Sequence, residues 1–272
     1  MIDLHNHMLP GLDDGALNWK QSLAMGQMAV ENGIQGIVCT PHWVVGHFEN
    51  RRAVIVGLVR TLQEKLQAAG IPLTVYPGAE LHLDFDIPEK ILSGELASLN
   101  DTGRFALIEL PMDIVPRNMK HFFWRLQAAD ITPIISHPER NNALRRHPSR
   151  LFRWVQMGVL TQVTAASLMG RFGTDARKFA VSLLEHRMVH IIGTDAHDTG
   201  DRIPQLSEGL REAEKIVGKE TAREMVLENP QHILQGEAVR TRDPIPYPSR
   251  PGSSRFKKFA SFLGLGGRTN PP

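Results

Sequence analysis

Two histidines two residues apart, His5 and His7, end a short apolar run and are followed by paired carboxylates, Asp13 and Asp14. Side chains on an extended segment repeat every two residues, so both imidazoles face the same way. Two imidazoles on one side suit a divalent metal of the zinc, manganese or iron type, and the Asp pair offers oxygen ligands within reach. Metal-capable residues recur along the chain at the ends of β-rich segments. They are His42 after Cys39-Thr40-Pro41, Glu80 after Gly78-Ala79, Glu109 before Leu110-Pro111, His137 in Ser136-His137-Pro138-Glu139-Arg140, and Asp195 and His197 in Thr194-Asp195-Ala196-His197. With His5, His7 and Asp14 this makes five imidazoles and four carboxylates. One catalytic metal commonly takes three protein ligands plus water. Nine donors therefore imply two or three metals, with Glu80 a candidate bridge. The imidazole–carboxylate mixture favours Mn, Fe or Zn over Mg or Ca. Clustered metals activate water and clamp the attacking and leaving oxygens of an in-line displacement at phosphorus. Hydrolysis of a phosphate ester is the expected reaction, with an amide or lactam as the alternative substrate.

Two arginines follow these ligands closely, Arg140 three residues after His137 and Arg202 five after His197. Guanidinium forks suit phosphate oxygens, so both are candidates to grip phosphate, although a nearby carboxylate is an ordinary structural partner for Arg140. Arg140, Arg202, His42 and Asp195 are the residues expected to carry turnover. Arg145, Arg146, Arg150 and Arg153 continue a basic stretch, read as a solvated helix face, with docking of an acidic phosphoprotein as the alternative. The remaining histidines (47, 82, 121, 147, 186, 190, 232) fall in helices, loops or strand starts and read as surface or packing residues. Among them His82 is a candidate to orient Glu80. Cysteine-based phosphate chemistry is excluded. The lone Cys39 lies in an apolar run, and the position six residues on, where a Cys-x5-Arg loop needs arginine, is Val45. No Gly-x4-Gly-Lys phosphate loop occurs.

These residues need a scaffold that brings them to one place. Seven β-rich segments, 2–5, 36–40, 74–80, 104–110, 132–137, 160–164 and 190–195, alternate with helical patterns. The helical patterns fall near 18–32, 50–69, 117–129, 149–157, 174–186, 204–217 and 219–235. Several strands are continuous apolar runs, as buried parallel strands are. The alternation argues for an α/β fold with a parallel sheet, and seven units suggest a barrel rather than an open sheet. Six of the seven segments deliver a metal-capable side chain at the same end. In a parallel barrel those ends converge on one face, where barrel active sites are built.

Length and composition agree with one domain. The 272 residues are 42% hydrophobic and 22% charged, ordinary globular values. One cysteine permits no internal disulfide, no leader-like start precedes Asp3, and no apolar run reaches membrane-spanning length, so a cytoplasmic protein is expected. From Glu237 onward there are seven basic and two acidic residues, a net +5, which leaves residues 1–236 at −3. Such a body is not a basic nucleic-acid-binding surface, and no nucleic-acid partner is expected. The expected division is a barrel over 1–240 and a Pro/Ser-rich basic tail over 241–272, extended or disordered. Phe256, Phe259 and Phe262 recur at helical spacing beside basic residues, so any membrane contact is expected only through this tail.

The motifs resemble the PHP superfamily, named for polymerase and histidinol phosphatase. More closely they resemble its bacterial protein-tyrosine phosphatases from capsule and exopolysaccharide loci. Leu9-Pro10-Gly11-Leu12-Asp13-Asp14-Gly15 after the His-x-His is the specific part, and Asp198-Thr199-Gly200-Asp201-Arg202-Ile203-Pro204 is also similar. The likeness covers roughly residues 1–235. It implies a distorted (β/α)7 TIM-like barrel, the PHP fold, with a three-metal site that is usually manganese-dependent. By this likeness His5, His7, Glu80 and Asp195 would hold one metal, His42, Glu80, Glu109 and His137 a second, and Asp14 and His197 would help hold a third. The implied substrate is the phosphotyrosine tail of a tyrosine autokinase controlling polysaccharide assembly. A small-molecule phosphatase of the histidinol-phosphate type, a nuclease, or a metal-stabilised docking module are the alternatives.

Overall fold

The computed structural model describes residues 1–247, so the Phe-rich basic segment lies outside the described residues. The described residues form ten strands: β1 (Ile2–Asn6), β2 (Gly36–Cys39), β3 (His42–Val44), β4 (Phe48–Glu49), β5 (Thr74–Pro77), β6 (Glu80–His82), β7 (Phe105–Glu109), β8 (Thr132–Ser136), β9 (Leu160–Thr164) and β10 (Ile191–Gly193). The helices are α1 (Trp19–Glu31), α2 (Arg52–Ala68), α3 (Ile87–Leu92), α4 (Met119–Ala128), α5 (Asn142–Arg146), α6 (Pro148–Gln156), α7 (Ala165–Leu168), α8 (Thr174–Glu185), α9 (Ser207–Val217), α10 (Lys219–Glu224) and α11 (Glu228–Gln235).

Seven staves form the barrel, because two of them are broken strands. β1, β2 and β5 pair in parallel, while β3 and β6 continue a second sheet through β7, β8, β9 and β10, also in parallel. The second stave breaks at Thr40-Pro41 between β2 and β3, where proline cannot donate to a ladder. The third breaks at Gly78-Ala79 between β5 and β6. A Cβ on Gly78 would lie 2.6 Å from Val38 Cγ1, so only glycine lets the two breaks approach. The barrel closes between β1 and the loop after β10, through Asp195 N to His5 O and His7 N to Ala196 O, both 2.8 Å. The fold is thus α/β, with a distorted seven-stave barrel.

Alternation puts Leu4, Val38, Leu107, Ile134, Leu160 and Ile191 inside the barrel, where Ile233 and Leu234 of α11 stop its lower end. A larger apolar layer lies between staves and helices. There α1 turns Ser22, Met25, Gly26 and Ala29 inward and α2 turns Ile55, Val59, Leu62 and Leu66, each a helical-period stripe. The expected helix over 219–235 is instead two, α10 and α11. Pro230 lacks an N–H and its ring would meet the carbonyl of Val226 in a continuous helix. The break frees carbonyls for the barrel: Val226 O accepts from Ile2 N at 2.8 Å and Met225 O from Ile192 N at 3.1 Å. Residues 241–247 run along the surface without regular structure. Ile245 N donates to His186 O at 2.9 Å, and the Tyr247 ring stacks on His186 with centroids 3.9 Å apart. Among the described residues, no helix is long and apolar enough to cross a membrane.

Candidate metal centre

The upper rim of the barrel gathers all nine expected metal-capable side chains. Glu80 is at the centre. Its Oε2 lies 3.1 Å from His5 Nε2, 3.5 Å from His7 Nε2 and 3.1 Å from His42 Nδ1, while its Oε1 lies 2.8 Å from His137 Nε2. Asp195 Oδ1 faces the same histidines, 3.2 Å from His5 Nε2 and 3.5 Å from His7 Nε2. Asp14 Oδ1 lies 3.4 Å from His197 Nε2 and 3.6 Å from His42 Nε2, and Glu109 Oε1 lies 3.7 Å from His137 Nε2. Three overlapping donor sets result: His5, His7, Glu80 and Asp195; His7, Asp14, His42 and His197; and His42, Glu80 and Glu109. His137 adjoins the last through Glu80.

The donor chemistry fits divalent metals. Glu80 Oε2, His42 Nδ1 and His197 Nε2 are buried without a hydrogen-bond partner, although they sit among other polar atoms. Orphaned buried polar atoms cost roughly 1–3 kcal/mol each unless something satisfies them. His5 Nε2 and His7 Nε2 face each other at 3.1 Å, and both lie within 3.5 Å of the Glu80 and Asp195 carboxylates. Burial pushes the His197 imidazole down to about 4, so it is neutral and free to ligate near neutral pH.

The outward ring nitrogens are committed elsewhere, which fixes the inward ones. His5 Nδ1 pairs with Gln162 Oε1 at 2.9 Å, His7 Nδ1 with Asp13 Oδ2 at 2.7 Å, and His197 Nδ1 with the Asp195 carbonyl at 3.0 Å. Asp13 also accepts from the backbone N–H of His42 and of Gly15, at 2.8 and 2.9 Å. Asp3, beneath the site, accepts from Thr194 N at 2.9 Å and from its hydroxyl, tying β1 to the loop bearing Asp195. β1 carries one extra residue between Asp3 and Asn6 relative to β2. This bulge shifts the strand's phase, so Leu4 packs inside the barrel while His5 and His7 also face inward. His137 and Asp195, just beyond the ends of β8 and β10, have φ of 30° and 53°, a left-handed conformation that costs energy for a residue other than glycine.

Arg140 and Arg202 both bind Asp195 Oδ2, at 2.6 and 2.7 Å. Both carboxylate oxygens of Asp195 are therefore engaged, one by imidazoles and one by guanidiniums. These cations, with His5, hold the Asp195 carboxyl well below the usual range despite its burial. Arg140 is the more buried, 13% exposed against 30% for Arg202, and lies 4.7 Å over the Phe172 ring. His82 does not turn to Glu80; its Nδ1 lies 3.2 Å from Glu109 Oε2 instead. On a strand, residues two apart share a face, and the paired strand β7 brings Glu109 opposite His82. Sequence reasoning missed Gln162, whose strand alone carries no metal-capable residue, and the orienting role of Asp13, hidden by the more exposed Asp14 beside it.

Comparison with known proteins agrees with this site and barrel. A family described as capsular polysaccharide synthesis, CpsB/CapC, matches residues 1–235. Tyrosine-protein phosphatase YwqE of Bacillus subtilis is 36% identical over 250 residues, 92% of this chain and 98% of that protein. Tyrosine-protein phosphatase CpsB of Streptococcus agalactiae is 29% identical over 244 residues, 88% of this chain and all of that protein. Among solved structures, one from a study of YwqE of Bacillus subtilis and CpsB of Streptococcus pneumoniae, described as metal-dependent tyrosine phosphatases, aligns with a TM-score of 0.87. It is 36% identical and covers 92% of this chain and 100% of its own. Dihydropyrimidinase of Brevibacillus agri shares only the barrel, at 11% identity and a TM-score of 0.51 over 89% of this chain and 73% of its own. The chain belongs to the CpsB/CapC family of capsular polysaccharide synthesis.

Proposed function

We propose that this chain is a manganese-dependent protein-tyrosine phosphatase of the cytoplasm that acts on the phosphotyrosines of a bacterial tyrosine autokinase regulating polysaccharide synthesis. The observation that carries the reading is the convergence of two guanidiniums on Asp195 at the edge of three overlapping donor sets. The relatives' names, all tyrosine-protein phosphatases, support it.

In this reading His5, His7, Glu80 and Asp195 would hold one metal and His42, Glu80, Glu109 and His137 a second, while Asp14 and His197 would help hold a third. When bound, the metals supply Lewis acidity at the phosphoryl group and a water nucleophile at neutral pH. Arg202 and Arg140, oriented by Asp195, supply N–H donors to the equatorial oxygens as charge builds on them. Beside Asp195 and Arg202 a cavity of about 190 Å³ has Phe172, Met169 and Ile203 in its wall, an apolar surface for the tyrosyl ring. The leaving phenolate has a pKa of about 10, so it departs with less help from a proton donor than an alkoxide needs.

Phosphate release from a phosphotyrosine peptide, with Mn²⁺ and with EDTA, beside a phosphoserine peptide and histidinol phosphate, tests the reading. The expected result is Mn²⁺-dependent release favouring phosphotyrosine. Preference for histidinol phosphate would overturn the substrate assignment. His42→Ala is expected to lower kcat by ~10²–10³ with the fold intact. It is a cleaner probe than Asp195→Ala, which also strips the buried Arg140 of its partner.

A further inference from the structure

A groove of about 580 Å³ runs down the outer wall of the barrel between α4 and α6. Met119 and Trp154 form its apolar floor, both buried, and Arg117, Lys120, Arg150 and Arg153 line it. Among the described residues no carboxylate lines the groove. Among the described residues none of the four cations forms an ion pair, whereas most other arginines of the barrel do. This cluster stands on a body whose residues 1–236 carry a net charge of −3.

The groove starts at the metal-centre face. α4 follows the loop that leaves Glu109, and that loop is fastened to the one bearing His137 and Arg140. Asn141 Nδ2 donates to Pro111 O at 2.8 Å and Asn142 N to Met112 O at 2.9 Å. The far end lies at Gln156 and Met157, where α6 finishes. α6 has nine residues, about 13 Å of helix, the span of about four residues of extended chain.

We infer that this groove docks an acidic polypeptide segment adjoining the phosphotyrosine of the substrate protein. The choice of occupant rests on the phosphatase reading; the charge complementarity does not. A segment leaving the metal centre meets unpaired cations over an apolar floor, which suits carboxylates interleaved with apolar side chains. Exposed attractions of this kind are individually weak and are screened by salt.

The test uses a labelled, unphosphorylated peptide with four Glu residues, and its Gln counterpart, read by fluorescence anisotropy at low salt. The Glu peptide is expected to bind and the Gln peptide to fail. Lys120→Gln, Arg150→Gln and Arg153→Gln together are expected to weaken binding roughly fivefold to tenfold, from three weak attractions. A control removing Lys20, Arg60 and Lys219 in the same way is expected to leave it unchanged. When the same Glu segment precedes phosphotyrosine, the groove variant is expected to raise KM with kcat unchanged and to hydrolyse p-nitrophenyl phosphate as before. Equal binding of both peptides, an equal loss in the control variant, or a loss confined to binding of phosphatidylglycerol vesicles would overturn the docking proposal. Wild-type protein that binds the Glu peptide but releases no phosphate from any phosphotyrosine peptide would sink the substrate reading and leave the docking surface standing.

Discussion

Asp13 separates holding a metal from using it. Its carboxylate orients His7 through Nδ1 and braces the backbone of His42, yet it belongs to none of the three donor sets. Burial alone would raise its pKa, but the His7 imidazole overrides that and holds the carboxyl below its ordinary value. Asp13→Asn is therefore expected to weaken metal affinity ~10–100-fold while kcat at saturating metal stays near wild type. Isothermal titration with Mn²⁺, paired with kcat at high Mn²⁺, distinguishes this from direct ligation, which would collapse both. The same titration tests proton linkage. Burial disfavours charge on His5 and His7, but Glu80, Asp195 and Asp13 raise both imidazoles above their ordinary value. A ligating imidazole must shed any proton on its ligating nitrogen, and these neighbours favour the protonated form in the metal-free site, so affinity is expected to fall as pH falls. Binding no weaker at about pH 6 than at about pH 8 would contradict this. At this scale the nine metal-capable residues were legible because eight stand at or just beyond a strand end and Asp14 sits in the loop that follows the first. Gln162 was not, since a lone glutamine on a buried strand carries no pattern until His5 is set against it.

At the scale of elements, the loop after β1 shows what the apolar runs conceal. A Cβ on Gly15 would lie 2.1 Å from the His7 carbonyl, which already accepts from Ala16 N at 3.0 Å. The loop folds back so tightly because it must deliver Asp13 to His7 and Asp14 to His197 at once. Gly15→Ala is expected to cost about 1–3 kcal/mol by overpacking and to weaken metal binding as the loop moves outward. Urea unfolding of the chelated protein reads the first effect and Mn²⁺ titration the second; unchanged metal affinity would show that the loop tolerates displacement. The seven staves were legible as apolar runs because buried parallel strands need nothing else. Their breaks at Pro41 and Gly78 were not, since each follows from the other stave's approach. α3, α5 and α7 span six, five and four residues, too short to complete a helical period that sequence could display. The α10–α11 break does have a written cause in Pro230, but its use, freeing carbonyls for β1 and β10, appears only in the closed barrel.

Across the whole molecule, the barrel end opposite the metal centre carries a pH-dependent part of stability, at His190. Its Nδ1 accepts from Thr161 N at 3.1 Å, and its backbone carbonyl accepts from Asn229 Nδ2 at 2.8 Å. A proton on Nδ1 would face that N–H donor inside a buried site, and burial pushes the imidazole down to about 4. In the unfolded chain it titrates near ~6.5. Between those values the unfolded state binds the extra proton, so stability rises with pH across the window. The contribution is complete above about pH 6.5 and fades as pH falls toward 4, amounting to about 2 kcal/mol between pH 7.5 and 5. His190→Asn keeps an acceptor where Nδ1 stood and removes the titration. The chelated variant is expected to be less stable than wild type near neutral pH because packing is lost, and the gap should narrow by about 2 kcal/mol at pH 5. The histidines of the metal centre titrate in both proteins and cancel in the difference. Urea unfolding at the two pH values measures the gap, and parallel losses in both proteins would mean that His190 accommodates its proton in the folded state.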